Sequence, residues 1–433
     1  MEALIEFFIL VGQLKVRPGW VLKGVKNPET FADHSFRLFV LGWIFGRGRD
    51  LDTEKVLKII LVHSLSTIFV DYLSPYDKQL GSILEVDKGK AKPLLNLQPP
   101  ASLKGRAAKS KPDEEEKAIQ KLTAKLDLED RKELYSLWLD FQKRKSPEAK
   151  LVGALDKLEN FIQACEYREY IDDTSFESFM DEVKEEGNDK VIVAFAQQTR
   201  DYFAGKKINK QDNDQIEFIL NIGKLKFLKR VAWIYGGAKE KDTESVADHS
   251  FRLAIMVWFL SQPGLNVEKM MKMAIMHDFA TVYTGDVTPF DNLITHNLKK
   301  DKPTLEKWPQ RSREEKERLT LERRLDERHA LDKLFTGLWV LLQDEMLALW
   351  YQYEEGFSKE GRFVRQVDRI EKLIQALEYN VKGIYKLDIA PYWVQLKQLI
   401  DEPTLKKFVE EVDIGFYGRE KHPQFIDKFI LEL

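Results

Sequence analysis

The run ADHSFRL stands at residues 32–38 and again at 247–253. Seven identical residues so far apart do not recur by accident in a chain of 433, so the fold must be built twice from one plan. The match continues in order. Ile5-Glu6-Phe7 answers Ile216-Glu217-Phe218, Gly12 answers Gly223, and Trp20 answers Trp233. Glu29-Thr30 and Glu244-Ser245 precede the two runs. LVHSLST at 61–67 answers IMHDFAT at 275–281, and LDKLENFIQACEY at 155–167 answers VDRIEKLIQALEY at 367–379. This is a tandem duplication of roughly 200 residues, the size of one domain, rather than a solenoid of short repeats. We place the copies at 1–195 and 214–433, with a polar linker at 196–213.

The apolar period is helical nearly everywhere. Met270, Met273, Ala274 and His277 recur at helical spacing, as do Val364, Val367, Ile370, Leu373, Ile374 and Leu377. Thr30-x-x-Asp33 and Ser245-x-x-Asp248 have the form of a capping box, which starts a helix just before each ADHSFRL histidine. No segment alternates apolar and polar residues with hairpin punctuation. The expected fold class is all-α, two tandem helical bundles. Lys88–Pro112, rich in Lys, Pro, Gly and Ala, reads as a long exposed loop; Asp291–Arg313 reads as its charged counterpart.

Composition narrows the function. Hydrophobic residues make up 43% and charged residues 32%, with a formal net charge of −3, so no overall field draws the chain to nucleic acid or an anionic membrane. The charged run at 311–334 interleaves Arg with Glu and Asp, which suits a solvated helix face better than a nucleic-acid surface. No apolar run reaches the ~18 residues that cross a bilayer. Met1-Glu2-Ala3 carries acid where a signal peptide carries base. Cys165 is the single cysteine and reads as a buried hydrophobe. The expectation is a soluble cytoplasmic protein.

Seven histidines are present, and His34, His63, His249 and His277 fall at matched positions of the repeat. In the second copy the series is His249, then His277-Asp278, then Asp368, carried on separate helices. A single histidine on an apolar face is more often a satisfied core residue. An ordered series of two imidazoles and two carboxylates, brought together from facing helices, is the way bundles build internal metal sites. That donor set suits one divalent transition metal, Mn, Co, Fe, Ni or Zn, and leaves positions open for water and substrate.

The series, with Arg230-x-x-Trp233, ADHSFRL, IMHD, TGDVTP at 284–289 and VDRIEKLIQALEY, resembles the HD-domain metal-dependent phosphohydrolases. Within them it is similar to the small HD proteins that include bacterial 5′-deoxyribonucleotidases, and the likeness covers both copies. The resemblance implies His249, His277, Asp278 and Asp368 as metal ligands. It implies Asp278 and Asp286 in the catalytic centre, and Arg230 and Trp233 for binding a small phosphorylated ligand, a nucleotide. Since proteins of this kind pair as homodimers, it implies an intrachain pseudo-dimer. An HD-type oxygenase with two irons would need further histidines around His277, and the sequence has none there.

Two departures keep a second reading open. The family pattern continues HD-x-x-Glu, whereas this chain has Thr281, which cannot act as a general base near neutral pH. In the first copy His34, His63 and Asp156 remain, but Ser64 replaces the HD aspartate, Thr67 the glutamate, and Tyr72 the counterpart of Asp286. We read the first copy as degenerate, although Arg17 and Trp20 persist in it. The whole is either a phosphohydrolase working through its second copy or a metal- and nucleotide-binding regulatory protein.

Overall fold

The computed structural model describes residues 1–20, 24–70, 101–186, 189–307 and 311–417. The chain is 73% helical with no strand or sheet among the described residues. Its isolated bridges, Pro18 to Thr30 and Lys229 to Ser245, occupy matched positions of the repeat. Both bring the chain back on itself just before an ADHSFRL helix. No described helix is long and apolar enough to cross a membrane.

In chain order the helices begin with α1 (Glu2–Gly12), α2 (Phe31–Gly46), α3 (Thr53–Val62), α4 (Ala101–Thr123), α5 (Leu128–Lys143), α6 (Pro147–Glu166), α7 (Asp173–Glu186) and α8 (Lys190–Phe203). The second copy contributes α9 (Lys210–Gly223), α10 (Val231–Tyr235), α11 (Val246–Phe259), α12 (Val267–Met276), α13 (Thr281–Thr284), α14 (Leu298–Leu305), α15 (Arg313–Leu334), α16 (Val340–Glu355), α17 (Lys359–Val381), α18 (Ala390–Leu399) and α19 (Pro403–Tyr417). Both capping boxes form: Thr30 starts α2 and Ser245 starts α11, each accepting from the backbone N–H of an aspartate that bonds back to the cap.

Packing divides the chain into two compact units. The first is Met1–Pro18, Glu29–Arg47 and Asn209–Leu433; the second is Gly19–Pro28 and Gly48–Ile208. The first unit is centred on α11, whose residues from Val246 to Trp258 are all buried. A helix buried all round needs neighbours on every side, and α2, α12 and α17 supply them, together with α1. Thus α1 and α2, which belong to the first copy by sequence, lie in the unit that carries the second. Phe7 meets Phe259 at 4.8 Å and Phe36 meets Phe279 at 6.1 Å between ring centroids.

Matched residues meet reciprocally inside this unit. Thr30 Oγ1 donates to Asp248 Oδ1 at 2.7 Å, and Ser245 Oγ donates to Asp33 Oδ1 at 2.6 Å. Lys15 pairs with Glu244 and Lys226 pairs with Glu29.

The second unit packs α3, α5, α7 and α8 around α6. Its core includes Leu57, Leu61, Trp138, Leu155, Phe161 and Met180, and it buries Cys165. Two loop expectations need correction. Ala101–Pro112 is the start of α4, an Ala- and Lys-rich stretch whose helix propensity exceeds its loop-like look; 88–100 lie outside the described residues. Within 291–313, α14 forms on the Asn297 cap, and the Asp301 carboxylate accepts from the Thr295 backbone N–H at 3.0 Å and from the Thr295 hydroxyl at 2.8 Å. The stretch 196–213, expected as linker, runs in α8 to Phe203 and in α9 from Lys210, leaving 204–209 between them.

Candidate metal centre

The buried polar residues of α11 need protein partners. His249 is fully buried one turn into the helix. Its Nδ1–H donates to Glu371 Oε2, and its Nε2 lies 3.0 Å from Asp368 Oδ1. Asp368 and Glu371 sit one turn apart on the buried face of α17.

His277 follows the last residue of α12 as its cap, so the HD pair lies just beyond the helix rather than inside it. Its Nδ1–H donates to the Ala274 carbonyl at 2.9 Å. That bond turns Nε2 toward the site, where it is buried and has no hydrogen-bond partner. Asp278 Oδ2 lies 3.1 Å from it and Asp368 Oδ1 3.9 Å from it, neither in hydrogen-bonding alignment. The donor atoms of His249, His277 and Asp368 all fall within 4.8 Å of one another. A buried imidazole nitrogen that faces carboxylate oxygens without a hydrogen bond is part of a donor set that could hold one cation.

The electrostatics agree. Burial by itself would raise Asp278, but the charges of His277 and Arg230 hold its carboxyl well below the usual range. Burial likewise opposes ionisation of Asp368, and Lys372 and the two histidines outweigh it. Both groups are therefore anionic donors at neutral pH. Lys372 Nζ donates to Asp368 Oδ2 at 2.8 Å, and the Tyr353 hydroxyl donates to the same oxygen at 3.2 Å.

Arg230 enters from the turn before α10. Its NH1 donates to Asp278 Oδ2, and its Nε lies 3.8 Å from Asp286 Oδ1. Asp286 Oδ2 accepts the Val231 N–H at 2.7 Å, so this aspartate holds the start of α10 beside the arginine. Trp233 is buried; its Nε1–H donates to Glu244 Oε1 at 2.8 Å, and its ring stacks on Tyr392 at 5.8 Å. Thr281 spends its hydroxyl on the Asp278 carbonyl at 2.6 Å.

The first copy repeats part of this geometry. His63 Nδ1–H donates to the Ile60 carbonyl at 2.6 Å, as His277 does to Ala274, and His63 Nε2 lies 3.9 Å from Asp156 Oδ1. Thr67 bonds the Ser64 carbonyl at 2.6 Å, in the manner of Thr281. His34 lies on α2 in the other unit. Trp20 packs against Phe179 at 5.0 Å, and Tyr72 lies outside the described residues.

Sequence reasoning missed Glu371, Lys372, Tyr353, Glu327 and Lys15. Glu371 had a signal: it follows Asp368 by three residues, as Glu159 follows Asp156 in the first copy. Glu327 on α15 is three-quarters buried or more and bonds Arg323. Burial first, then Glu354 and Asp278 acting against Arg323, push its carboxyl up to about 7. Tyr353 and Glu327 come from distant helices and had no sequence signal.

A family model described as HD domain matches residues 11–197 and 222–399, one segment in each copy. The 5'-deoxynucleotidase HDDC2 of Xenopus laevis is 32% identical over 165 residues, 38% of this chain and 69% of that protein. The 5'-deoxynucleotidase hdd1 of Schizosaccharomyces pombe is 28% identical over 198 residues, 46% of this chain and 87% of that protein. The HDDC2 of Danio rerio is 34% identical over 171 residues, 39% of this chain and 72% of that protein.

Proposed function

The chain belongs to the HD-domain family, and on that premise we propose that its second copy is a metal-dependent phosphohydrolase site for a nucleoside monophosphate or similar small phosphate ester. The observation that carries the reading is the Nε2 of His277, buried without a hydrogen-bond partner among donor atoms of His249 and Asp368, with Asp278 Oδ2 at 3.1 Å. These residues would hold one divalent transition metal, which supplies Lewis-acid polarisation of a phosphoryl oxygen and a lowered pKa for water. Relatives named 5'-deoxynucleotidase support the substrate class.

The chain's own residues divide the remaining work. Arg230 is a planar, permanently charged fork that can exchange Asp278 for a phosphate. Asp286 keeps it aimed, through the Val231 N–H and the Arg230 Nε. Trp233 packs with Tyr385 and Tyr392 in an aromatic cluster three residues beyond Arg230, and would act on a ligand by holding that end of the site. The reciprocal contacts of Thr30 with Asp248 and Ser245 with Asp33 support an intrachain pseudo-dimer, since an isologous interface pairs i with j and j with i.

One observation favours the alternative, a regulatory protein that keeps the metal. The Thr281 hydroxyl is committed to a backbone carbonyl, and no carboxylate occupies that position. The test is metal content by mass spectrometry on protein purified without added metal, for wild type, His277→Ala and His63→Ala. About one metal per chain, lost in His277→Ala and kept in His63→Ala, is expected. Phosphate release from nucleoside monophosphates, abolished in Asp278→Ala, would then establish the enzyme. Metal without phosphate release would leave the regulatory reading; no metal even after adding Mn²⁺ or Co²⁺ would sink both.

A further inference from the structure

Lys15 closes the turn after α1 and belongs to the first copy, yet its ammonium is buried against the second copy's site. It donates to Glu244 Oε2 at 2.5 Å, Glu371 Oε1 at 2.6 Å and Gln375 Oε1 at 2.9 Å. Two of these acceptors lead into the site by their other oxygen. Glu371 receives the His249 Nδ1–H, and Glu244 receives the Trp233 Nε1–H.

We infer that Lys15 is a positioning residue lent by the first copy to the second, holding Glu371 so that His249 presents Nε2, and Glu244 so that Trp233 keeps its place. This rests on reading the second copy as a metal site.

The physical argument is one of charge. Donor atoms of Glu244, His249 and Glu371 come within 4.8 Å of one another. Two carboxylates that close, away from water, repel strongly unless a cation lies between them. Lys15 is that cation, and Arg252 assists from α11, with Nε on Glu371 Oε1 at 2.8 Å and NH2 on Gln375 Oε1 at 2.9 Å. The cluster is thus already neutralised by protein charge, which sets it apart from the donor set around His277. With Lys15 removed, Glu371 and Glu244 separate, and the imidazole and the indole lose their anchors together.

A second observation supports the loan. The last residue of α1, Gly12, faces the same network: a Cβ there would stand 2.6 Å from Arg252 NH1 and 3.1 Å from Glu378 Oε1. The end of α1 is therefore shaped around the second copy's buried charges. The repeat also supplies an internal control. Lys226, the counterpart of Lys15, is equally buried and pairs with Glu29, the counterpart of Glu244. Removing either lysine strips a buried cation, but only Lys15 reaches Glu371 and through it His249.

The experiment compares full-length wild type, Lys15→Met, Lys15→Arg and Lys226→Met, each checked for folding by circular dichroism. Co²⁺ affinity is read by competition with a chromophoric chelator. Partners that orient a metal-ligating histidine typically contribute 10–100-fold to affinity. Lys15→Met is expected to weaken Co²⁺ binding by about 10–100-fold, Lys15→Arg to recover most of it, and Lys226→Met to bind as wild type. If Lys15→Met does not fold, Lys15→Gln carries the same comparison. Equal affinity in wild type and the folded Lys15 variant overturns the inference alone, as does an equal loss in Lys226→Met. A wild type that binds no Co²⁺ overturns the metal reading and this inference with it.

Discussion

The Thr281 hydroxyl donates to the backbone carbonyl of Asp278 at 2.6 Å, a bond that caps the turn carrying His277 and Asp278. Thr67 makes the same bond to Ser64 in the first copy. The residue that replaces the family glutamate therefore shapes the turn and holds no proton for chemistry. Thr281→Val is expected to cost about 1 kcal/mol of stability, the net worth of one hydrogen bond. Metal content should be unchanged and phosphate release within a few-fold of wild type. A loss beyond tenfold with the metal retained would place the hydroxyl in the reaction.

Arg230 binds Asp278 and is steered by Asp286. Lysine keeps the charge and loses the fork, so it cannot grip a phosphate by two parallel bonds. Arg230→Lys should raise KM for a nucleoside monophosphate roughly tenfold with a smaller change in kcat. A KM equal to wild type in a steady-state titration would remove Arg230 from substrate binding.

Glu327 sits at about 7 because burial, reinforced by Glu354 and Asp278, outweighs Arg323. Its carboxyl is pushed up to about 7, in a chain that has Thr281 where the family pattern has glutamate. Glu327→Gln should remove an inflection near pH 7 from the kcat/KM profile and lower kcat more than it raises KM. A profile that keeps the inflection would assign it to another group.

Asp33 and Asp248 face each other where the two ADHSFRL helices begin. Burial, then the neighbouring Asp248, pushes Asp33 well above the carboxylate range; burial also raises Asp248, against Lys229. The folded chain thus keeps a proton that the unfolded chain releases above pH ~4. Stability from this pair is full below ~4 and is lost as pH rises through the folded value. The melting temperature, measured in chelator, should fall across that window. Asp33→Asn should flatten that slope, since an amide does not titrate. An unchanged slope would mean that other groups set it.

The candidate donor residues were legible in the sequence. His249, His277, Asp278 and Asp368 announced themselves because the duplication acts as an internal alignment, and chemistry-bearing types recurred in a fixed order. Helices were legible from their apolar period, since a face that repeats every 3.6 residues can be buried only as a helix. Loops were less so: Ala101–Pro112 has a composition that serves a helix as well as a loop, and α14 depends on the local cap at Asn297 and the Asp301 bonds.

By itself, the sequence determined the all-α class and the duplication and proposed a donor set, because these follow from residue type and spacing along the chain. Tertiary structure decided which copy's helices share a core and which distant charges meet. Nothing in the spacing of Lys15 marks it as a partner of Glu244 and Glu371, and nothing in Glu327 marks it as a buried partner of Arg323 whose carboxyl also feels Asp278. A buried charge chooses its partner by proximity in three dimensions, once water has been excluded and the remaining acceptors must be satisfied. That choice is made when α1 and α2 pack against α11, and it is invisible until they do.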